Sequence, residues 1–324
     1  MQRRELILAG AGLALPFSGH AATPWRLATG YRAESFHGQN LQAFAQAVAT
    51  GTAQTVRIEL HPHNSLVSLP QIFAAAAEGR IEAGEAIMTG LADTLPLAGA
   101  DAVPFVVGSY DDAERLWRHQ RPLIERQFAQ CGLHVLYAVP WPPQGLFSRR
   151  PVQRVTDLAG TRMRTYNATT VRIAQLLGAE PVDVAMVDVG RALDEGRMDT
   201  MITSAVTGVE NQVWSAVRHY YDINAWIPKN IVFVRAALLK ALPRAAREAV
   251  FAAAREAEVR GWSASRQVAR SSVLELQRQG VQVDPVHPHL SRDLKRLGER
   301  FSLEWIRAVG REANEIFIPY YTQA

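Results

Sequence analysis

The chain has 324 residues, of which 48% are hydrophobic, so it can bury a sizeable core. A chain of this length usually exceeds what one core supports, and we expect two lobes. The formal net charge is only +4, and the arginines alternate with acids instead of forming a basic stripe. This distribution argues against nucleic-acid binding. The single cysteine, Cys131, excludes an internal disulfide.

The first residues have the pattern of an export signal. The stretch MQRRELILAGAGLALPFSGHAATPW has a basic start at Arg3 and Arg4, an apolar run over Leu6–Pro16, and a small-residue exit at Ala21. This run is too short to remain as a membrane span, and no later segment has the apolar length of one. We predict a cleaved signal over residues 1–21 and a periplasmic protein, exported by the secretory or the twin-arginine route.

Strand and helix patterns alternate along the next part of the chain. A short strand precedes a helix, and VRIELH forms a second strand that ends at Pro62. A helix that ends at Gly79 and another strand follow, and GLHVLYAV forms a strand that ends at Pro140. The strand GTRMRTYN is followed by a helix that ends at Gly178. This alternation predicts an α/β fold with largely parallel sheets.

A long helical pattern occupies the last third of the chain. From Leu239 to Gln279 the sequence is rich in Ala, Arg and Glu, with one interior glycine at Gly261. Helices in compact domains average about 11–12 residues, whereas this pattern lasts for about forty. We expect a helix of this length to span more than one lobe.

Two histidine pairs suggest a metal site. They are His61 with His63 and His287 with His289, each pair separated by a proline. Imidazole is a common zinc ligand, but no cysteine or carboxylate cluster completes either pair. No G-x-S-x-G motif of a nucleophilic serine enzyme occurs. The alternatives are a metal-dependent hydrolase and histidines that lie on the surface.

Two arginines lie on one predicted strand and face the same side of it. Arg162 is next to the turn, whereas Arg164 is near the carboxyl end of the strand, just before Asn167. Asn167 is a good N-cap for the following helix. A guanidinium beside a helix N-terminus can bind a carboxylate through bidentate hydrogen bonds. The alternative for Arg164 is a structural salt bridge to Asp157 or Asp188.

Other polar and aromatic residues follow the ends of predicted strands. Trp141 and Gln144 follow one strand, and Thr203 and Ser204 follow another. Ligands of open α/β sheets bind beyond the carboxyl ends of strands, so these side chains are candidates for the same crevice. The alternatives are a core position for Trp141 and local turn capping for the two hydroxyls.

The order of these segments resembles the periplasmic solute-binding subunits of tripartite ATP-independent (TRAP) transporters, of the C4-dicarboxylate-binding type. No single segment is specific for this family. The order and spacing of the segments over nearly the whole mature chain are specific for it. The segments are FHGQNLQAFAQAV, VRIELHPHNSL, GRIEAGEAIM, AVPFVVGSYDDAERLW, DLAGTRMRTYNATT, LLGAEPVDVAMVDVGRALDEGRMDTMITS and the long helix.

The resemblance implies a two-lobed periplasmic-binding-protein fold that closes on its ligand like a hinge. Strands that cross between the lobes near Val139–Gln144 and Ala225–Val232, together with the long helix, would join the two halves. The implied lobes are residues 22–141 with 229–268, and residues 142–228 with 269–324.

The resemblance also assigns candidate ligand-binding residues. In the family, the arginine that corresponds to Arg164 forms a bidentate pair with a ligand carboxylate. Gln144 stands where many members carry a second arginine, which makes a dicarboxylate ligand less suitable. Thr203 stands, to within one residue, where the family has an asparagine that contacts the ligand. The remaining candidates are His37, Asn40 and Glu85 from the first lobe, with Trp141, Asn167, Ser204 and Trp214.

The implied function is capture of a small organic acid and its delivery to a membrane permease driven by an ion gradient. Such a protein is not an enzyme and needs no cofactor. Trp141 and Trp214 point to a ring or planar ligand. The alternatives are a binding protein of an ATP-driven importer and a periplasmic metal-dependent hydrolase.

Overall fold

The alternating pattern folds into two β-sheets in this computed structural model, which describes residues 24–322. The predicted export signal, residues 1–21, lies outside the described residues. In spatial order, the first sheet contains β2 (Ile58–His61), β1 (Trp25–Ala28), β3 (Ala83–Ile87), β10 (Lys229–Arg235) and β4 (Leu133–Pro140). The second sheet contains β11 (Gln282–Asp284), β9 (His219–Tyr221), β5 (Gln144–Ser148), β8 (Thr200–Ser204), β6 (Arg162–Thr165) and β7 (Glu180–Asp183).

Helices cover the faces of both sheets. The α-helices are α1 (Phe36–Gly51), α2 (Ile72–Ala77), α3 (Tyr110–Gln130), α4 (Ala168–Leu176), α5 (Val189–Asp194), α6 (Ala205–Glu210), α7 (Ala236–Ala241), α8 (Arg244–Arg278), α9 (Pro288–Val309) and α10 (Arg311–Thr322). Short 3-10 turns lie at Leu69–Gln71, Met88–Leu91, Pro96–Ala102, Val155–Leu158, Met186–Asp188 and Val213–Ser215. None of the helices within residues 24–322 is long and apolar enough to cross a membrane.

The local signals of the sequence act where we expected them. The helical spacing in α1 buries Leu41, Phe44 and Val48 against the first sheet. Gly79 and Gly178 both have φ near +70 to +80° and follow the ends of α2 and α4. Glycine adopts this left-handed conformation without a steric cost, so it ends a helix efficiently.

Both sheets are mixed, whereas the sequence predicted largely parallel sheets. The strands β1, β2 and β3 are parallel, as are β6, β7 and β8. However, β10 runs antiparallel to β3 and β4, and β5 runs antiparallel to β8 and β9. These two strands directly follow segments that connect the sheets, so each enters its sheet from the opposite end. The hydrophobic runs of β5 and β10 do not disclose this direction.

The long helical pattern forms α7 and α8, which are separated at Pro243. Helix α8 has 35 residues and is therefore about 52 Å long. Its Val250 and Ala257 pack in the core that contains Phe44 of α1, beside the first sheet. Its Leu276 packs with Phe147 of β5 in the core of the second sheet. The prediction of a two-lobed α/β fold with a lobe-spanning helix is confirmed; the lobe boundaries by residue number stay a prediction.

Candidate functional site

A cavity of about 460 Å³ lies where the carboxyl ends of strands from both sheets meet. Residues that follow β3 form one side, and residues at the ends of β6 and β8 form the other. The segments that cross between the sheets also line it, through Trp141 and Pro228. The polar or aromatic residues that line it are Tyr31, Asn64, Ser68, Thr89, Asp93, Trp141, Gln144, Arg164, Tyr166, Asn167, Asp183, Thr203, Ser204 and Thr207.

Arg164 is the basic residue of this wall, and it is 4% exposed. Its Nε donates to the carbonyl oxygen of Val184 at 3.0 Å, and its guanidinium carbon lies 4.6 Å from the centre of the Tyr166 ring. Burial lowers the pKa of Arg164 to about 10, so the side chain is still charged at neutral pH. It forms no salt bridge with any acid among residues 24–322. A buried, unpaired cation is costly, and an anionic ligand would relieve that cost.

Arg162 has a different role from Arg164. Its Nε and one terminal nitrogen contact the two carboxylate oxygens of Asp199 at 2.9 and 2.7 Å. The backbone N–H of Arg162 also donates to this carboxylate. The salt bridge is partly exposed and holds the start of β6 to the segment before β8. Arg162 is therefore already neutralised by the protein.

The two acids considered as partners of Arg164 are occupied elsewhere. Asp157 accepts hydrogen bonds from the backbone N–H groups of Gln153 and Arg154. Asp188 forms a salt bridge with Arg191, three residues along the chain. Within residues 24–322, Arg164 therefore does not form the structural salt bridge that was the alternative to ligand binding.

Asn167 caps the helix that follows the arginine strand. Its Oδ1 accepts a hydrogen bond from the backbone N–H of Thr170 at 2.9 Å. Its Nδ2 donates to the hydroxyl of Thr89 at 2.9 Å, and Thr89 lies in the 3-10 turn that follows β3 of the first sheet. Asn167 therefore fixes the N-terminus of α4 beside Arg164 and joins the two sides of the cavity.

Gln144 and the hydroxyls of β8 supply neutral hydrogen-bonding groups. The Nε2 of Gln144 donates to the carbonyl oxygen of Pro142 at 2.7 Å, and its Oε1 has no partner among residues 24–322. Ser204 caps α6 and exchanges a hydrogen bond of 3.1 Å with Thr207. Ser204 thus has the capping role that was one of the alternatives for it. It also lines the cavity, together with Thr203.

Four residues predicted for the site lie away from the cavity wall. His37 and Glu85 are buried behind Trp141. The side chain of Asn40 bonds to the carbonyl of Ala257 and accepts from Arg260, so it joins α1 to α8. The last of the four, Trp214, lines a separate surface depression together with Glu210 and Arg32.

Eight of the polar or aromatic wall residues were not predicted from the sequence, and among them Tyr31, Thr89 and Tyr166 contact predicted residues. Tyr31 and Thr89 follow β1 and β3, and Tyr166 follows β6. The rule that ligands bind beyond the carboxyl ends of strands would have found all three. Nothing local distinguished them from other polar residues in turns.

The histidine pairs do not form a metal site in the described residues. His61 lies 3.4 Å from Glu59, and His287 accepts a hydrogen bond from the backbone of His289. No group of three or more His, Cys, Asp or Glu side chains within residues 24–322 has the arrangement of metal ligands.

Comparison with known proteins places the chain in a family. Residues 27–300 match the model described as "Bacterial extracellular solute-binding protein, family 7". The chain belongs to this family. It is the family of TRAP solute-binding proteins that the sequence predicted, so that prediction is confirmed. Its members bind solutes and are not enzymes, which removes the metal-dependent hydrolase.

Solved structures of three relatives have the same fold. DctP7 of Bordetella pertussis is 33% identical to this chain, with a TM-score of 0.90 over 93% of this chain and 100% of the relative. DctP6 of the same organism is 31% identical, with a TM-score of 0.90 and coverage of 92% and 99%. Both are described as extracytoplasmic solute receptors binding pyroglutamic acid. A marine metagenome TRAP protein specific for pyroglutamate is 31% identical, with a TM-score of 0.89 and coverage of 93% and 99%.

Proposed function

We propose that this protein captures a small cyclic monocarboxylic acid of the pyroglutamate type and delivers it to the membrane subunits of a TRAP transporter. The observation that carries the proposal is Arg164, a buried cation without an acidic partner in the described residues. Three relatives above 30% identity bind pyroglutamate, which supports this ligand class.

A single carboxylate suits the charge of the cavity. Among the described lining residues Arg164 is the one basic side chain, and Asp93 and Asp183 add negative charge at exposed positions. A second carboxylate on the ligand would lose its hydration without gaining a cationic partner, which is costly. The charge of the cavity therefore favours monocarboxylates over dicarboxylates.

Neutral groups of the cavity match the remaining polar atoms of a lactam acid. The unpartnered Oε1 of Gln144 would accept a hydrogen bond from the ring N–H. Hydroxyls of Thr203 and Ser204 would donate to the ring carbonyl. Trp141 and Tyr31 supply flat apolar surface for the ring itself.

Replacement of Arg164 by alanine tests the proposal. We expect Arg164→Ala to weaken pyroglutamate binding by at least about 100-fold, because the carboxylate would be buried without a partner. Its melting temperature should equal or exceed that of the wild type, because an unpaired buried charge is removed. Isothermal titration calorimetry with pyroglutamate and succinate, together with a thermal melt, measures both effects.

Arg162→Ala is the matched control for this test. Arg162 lies two residues away on the same strand, but Asp199 already neutralises it. This variant should bind pyroglutamate like the wild type. Retained affinity in Arg164→Ala, or a preference of the wild type for succinate, would refute the assignment.

Delivery to a permease and export to the periplasm belong to the same proposal. We propose that residues 1–21 are removed during export, so the mature protein starts near Ala22. N-terminal sequencing of the exported protein checks the cleavage site. Uptake of pyroglutamate by cells that carry the receptor and the TRAP membrane subunits, without an ATPase subunit, separates this transporter class from an ATP-driven importer.

A further inference from the structure

Glu85 is buried near the cavity, although it does not line it. It lies on β3 and is 1% exposed. The Thr29 hydroxyl donates to its Oε2 at 2.6 Å, and the Nδ2 of Asn230 donates to its Oε1 at 3.0 Å. The Nδ1 of His37 lies 3.2 Å from its Oε1. Burial acts to raise the pKa of Glu85, but His37 and the two hydrogen bonds hold it below its usual value, so the group is an anion.

Asn230 connects this carboxylate to two aromatic residues of the cavity wall. Its Oδ1 accepts a hydrogen bond from the indole N–H of Trp141 at 2.8 Å and one from the Tyr31 hydroxyl at 3.3 Å. Only one orientation of the Asn230 amide satisfies these hydrogen bonds. Carboxylate oxygens only accept and an indole N–H only donates, so the Asn230 amide must direct its NH₂ group to Glu85 and its oxygen to Trp141.

The aromatic residues held in this way form a rigid part of the wall. The rings of Tyr31 and Trp141 meet edge to face with their centres 5.1 Å apart. The ring of His37 packs behind Trp141, with centres 4.5 Å apart. Trp141 is 3% exposed, so the surrounding side chains leave it little freedom to change rotamer.

We propose that Glu85 and Asn230 are positioning residues for ring selectivity: Glu85 orients the Asn230 amide, which holds Trp141 and Tyr31 as a preformed surface for a flat cyclic ligand. This inference rests on the proposed capture of a cyclic acid. A preformed surface favours a flat ring, since little ordering remains to be done on binding. An acyclic acid uses the same Arg164 but gains less from that surface.

Glu85→Gln tests the inference with little change in volume. A glutamine amide can donate as well as accept, so one of the two groups that fix the Asn230 amide is lost and its bonds to Trp141 and Tyr31 weaken. We expect the ratio of affinities for pyroglutamate and the acyclic acid N-acetylglycine to fall by about ten-fold. The affinity for N-acetylglycine should change by less than about three-fold, since Arg164 is intact. Calorimetry with both acids gives the ratio.

A second readout needs no ligand. The indole N–H signal of Trp141 in a ¹H–¹⁵N spectrum is assigned by its loss in Trp141→Phe. In Glu85→Gln this signal should move upfield as its hydrogen bond weakens. The matched control is the indole of Trp262, which donates to the carbonyl of Ala138 and should not move. Asn230→Ala removes the acceptor itself and must give the same two changes if Glu85→Gln does not fold.

The outcomes separate this inference from the proposed function. If the wild type binds neither acid, the proposed function fails, while movement of the Trp141 signal still supports the positioning role. If the wild type binds pyroglutamate but Glu85→Gln and Asn230→Ala leave the affinity ratio and the Trp141 signal unchanged, the positioning role is overturned. Equal weakening of both acids with an unmoved signal also overturns it.

Discussion

The guanidinium of Arg164 is held in place by contacts on two sides. Val184 accepts from its Nε, and the ring of Tyr166 lies against its face. Burial raises the pKa of Tyr166 to about 12, so the ring stays neutral at neutral pH. The face of an aromatic ring stabilises a desolvated cation by about 0.5–2 kcal/mol. Tyr166 is therefore part of the proposed anion site.

Two substitutions of Tyr166 distinguish the contribution of its ring from that of its hydroxyl. We expect Tyr166→Leu to weaken binding of pyroglutamate by about ten-fold, because the guanidinium loses the ring that orients it. Tyr166→Phe keeps the ring and should stay within about three-fold of the wild type. Calorimetry on both variants measures this difference. Equal affinities for Leu and Phe at this position would show that stacking has no role.

At its single interior glycine, α8 packs closely on two neighbours. A Cβ atom at Gly261 would come within 3.0 Å of the Val139 side chain on β4 and of Asn40 on α1. Alanine normally favours a helix by about 1 kcal/mol over glycine. At this position the overlap outweighs that gain, because the backbone of α8 must move away from both neighbours.

Gly261→Ala should therefore destabilise the protein although it raises helix propensity. We expect the free energy of unfolding to fall by about 1–3 kcal/mol. Ser263→Ala, at an exposed position two residues further along the same helix, should leave it unchanged or slightly raised. Chemical denaturation of both variants measures the change. Stabilisation by Gly261→Ala would mean that α8 does not need this close approach.

Across the whole molecule, Asn167 and Thr89 join the two sides of the cavity directly. Their hydrogen bond of 2.9 Å links the cap of α4 to the turn after β3. This bond exists only while the two sheets are close together. We therefore expect it to stabilise a closed form selectively, so that a ligand enclosed by the cavity leaves more slowly.

Thr89→Val removes the hydroxyl of this contact at nearly constant volume. We expect dissociation of pyroglutamate to accelerate by about three- to ten-fold, because one buried hydrogen bond of about 0.5–1.5 kcal/mol is lost from the closed form. Thr89→Ser keeps the hydroxyl and should dissociate at nearly the wild-type rate. Stopped-flow displacement measures both rates. An unchanged rate in Thr89→Val would show that this contact does not hold the cavity closed.

The sequence by itself determined the local features of this protein. Turn residues such as Pro62 and Gly178 ended elements where expected, and strand alternation placed Arg162 and Arg164 on one side of β6. Asn167 is the helix cap that its residue type predicted. These features depend on neighbours within a few residues, so a local pattern is sufficient to predict them.

Only the tertiary structure decided which distant groups meet. Asp199 neutralises Arg162, because β8 lies beside β6 in the second sheet, whereas Asp157 and Asp188 bond elsewhere and leave Arg164 unpaired among the described residues. Glu85 and His37 lie behind the cavity wall, because the Trp141 ring packs against His37 and Asn230 links Glu85 to that ring. The antiparallel direction of β5 and β10 follows from where the chain crosses between sheets. Such contacts depend on strand order over more than a hundred residues, and no local periodicity contains that information.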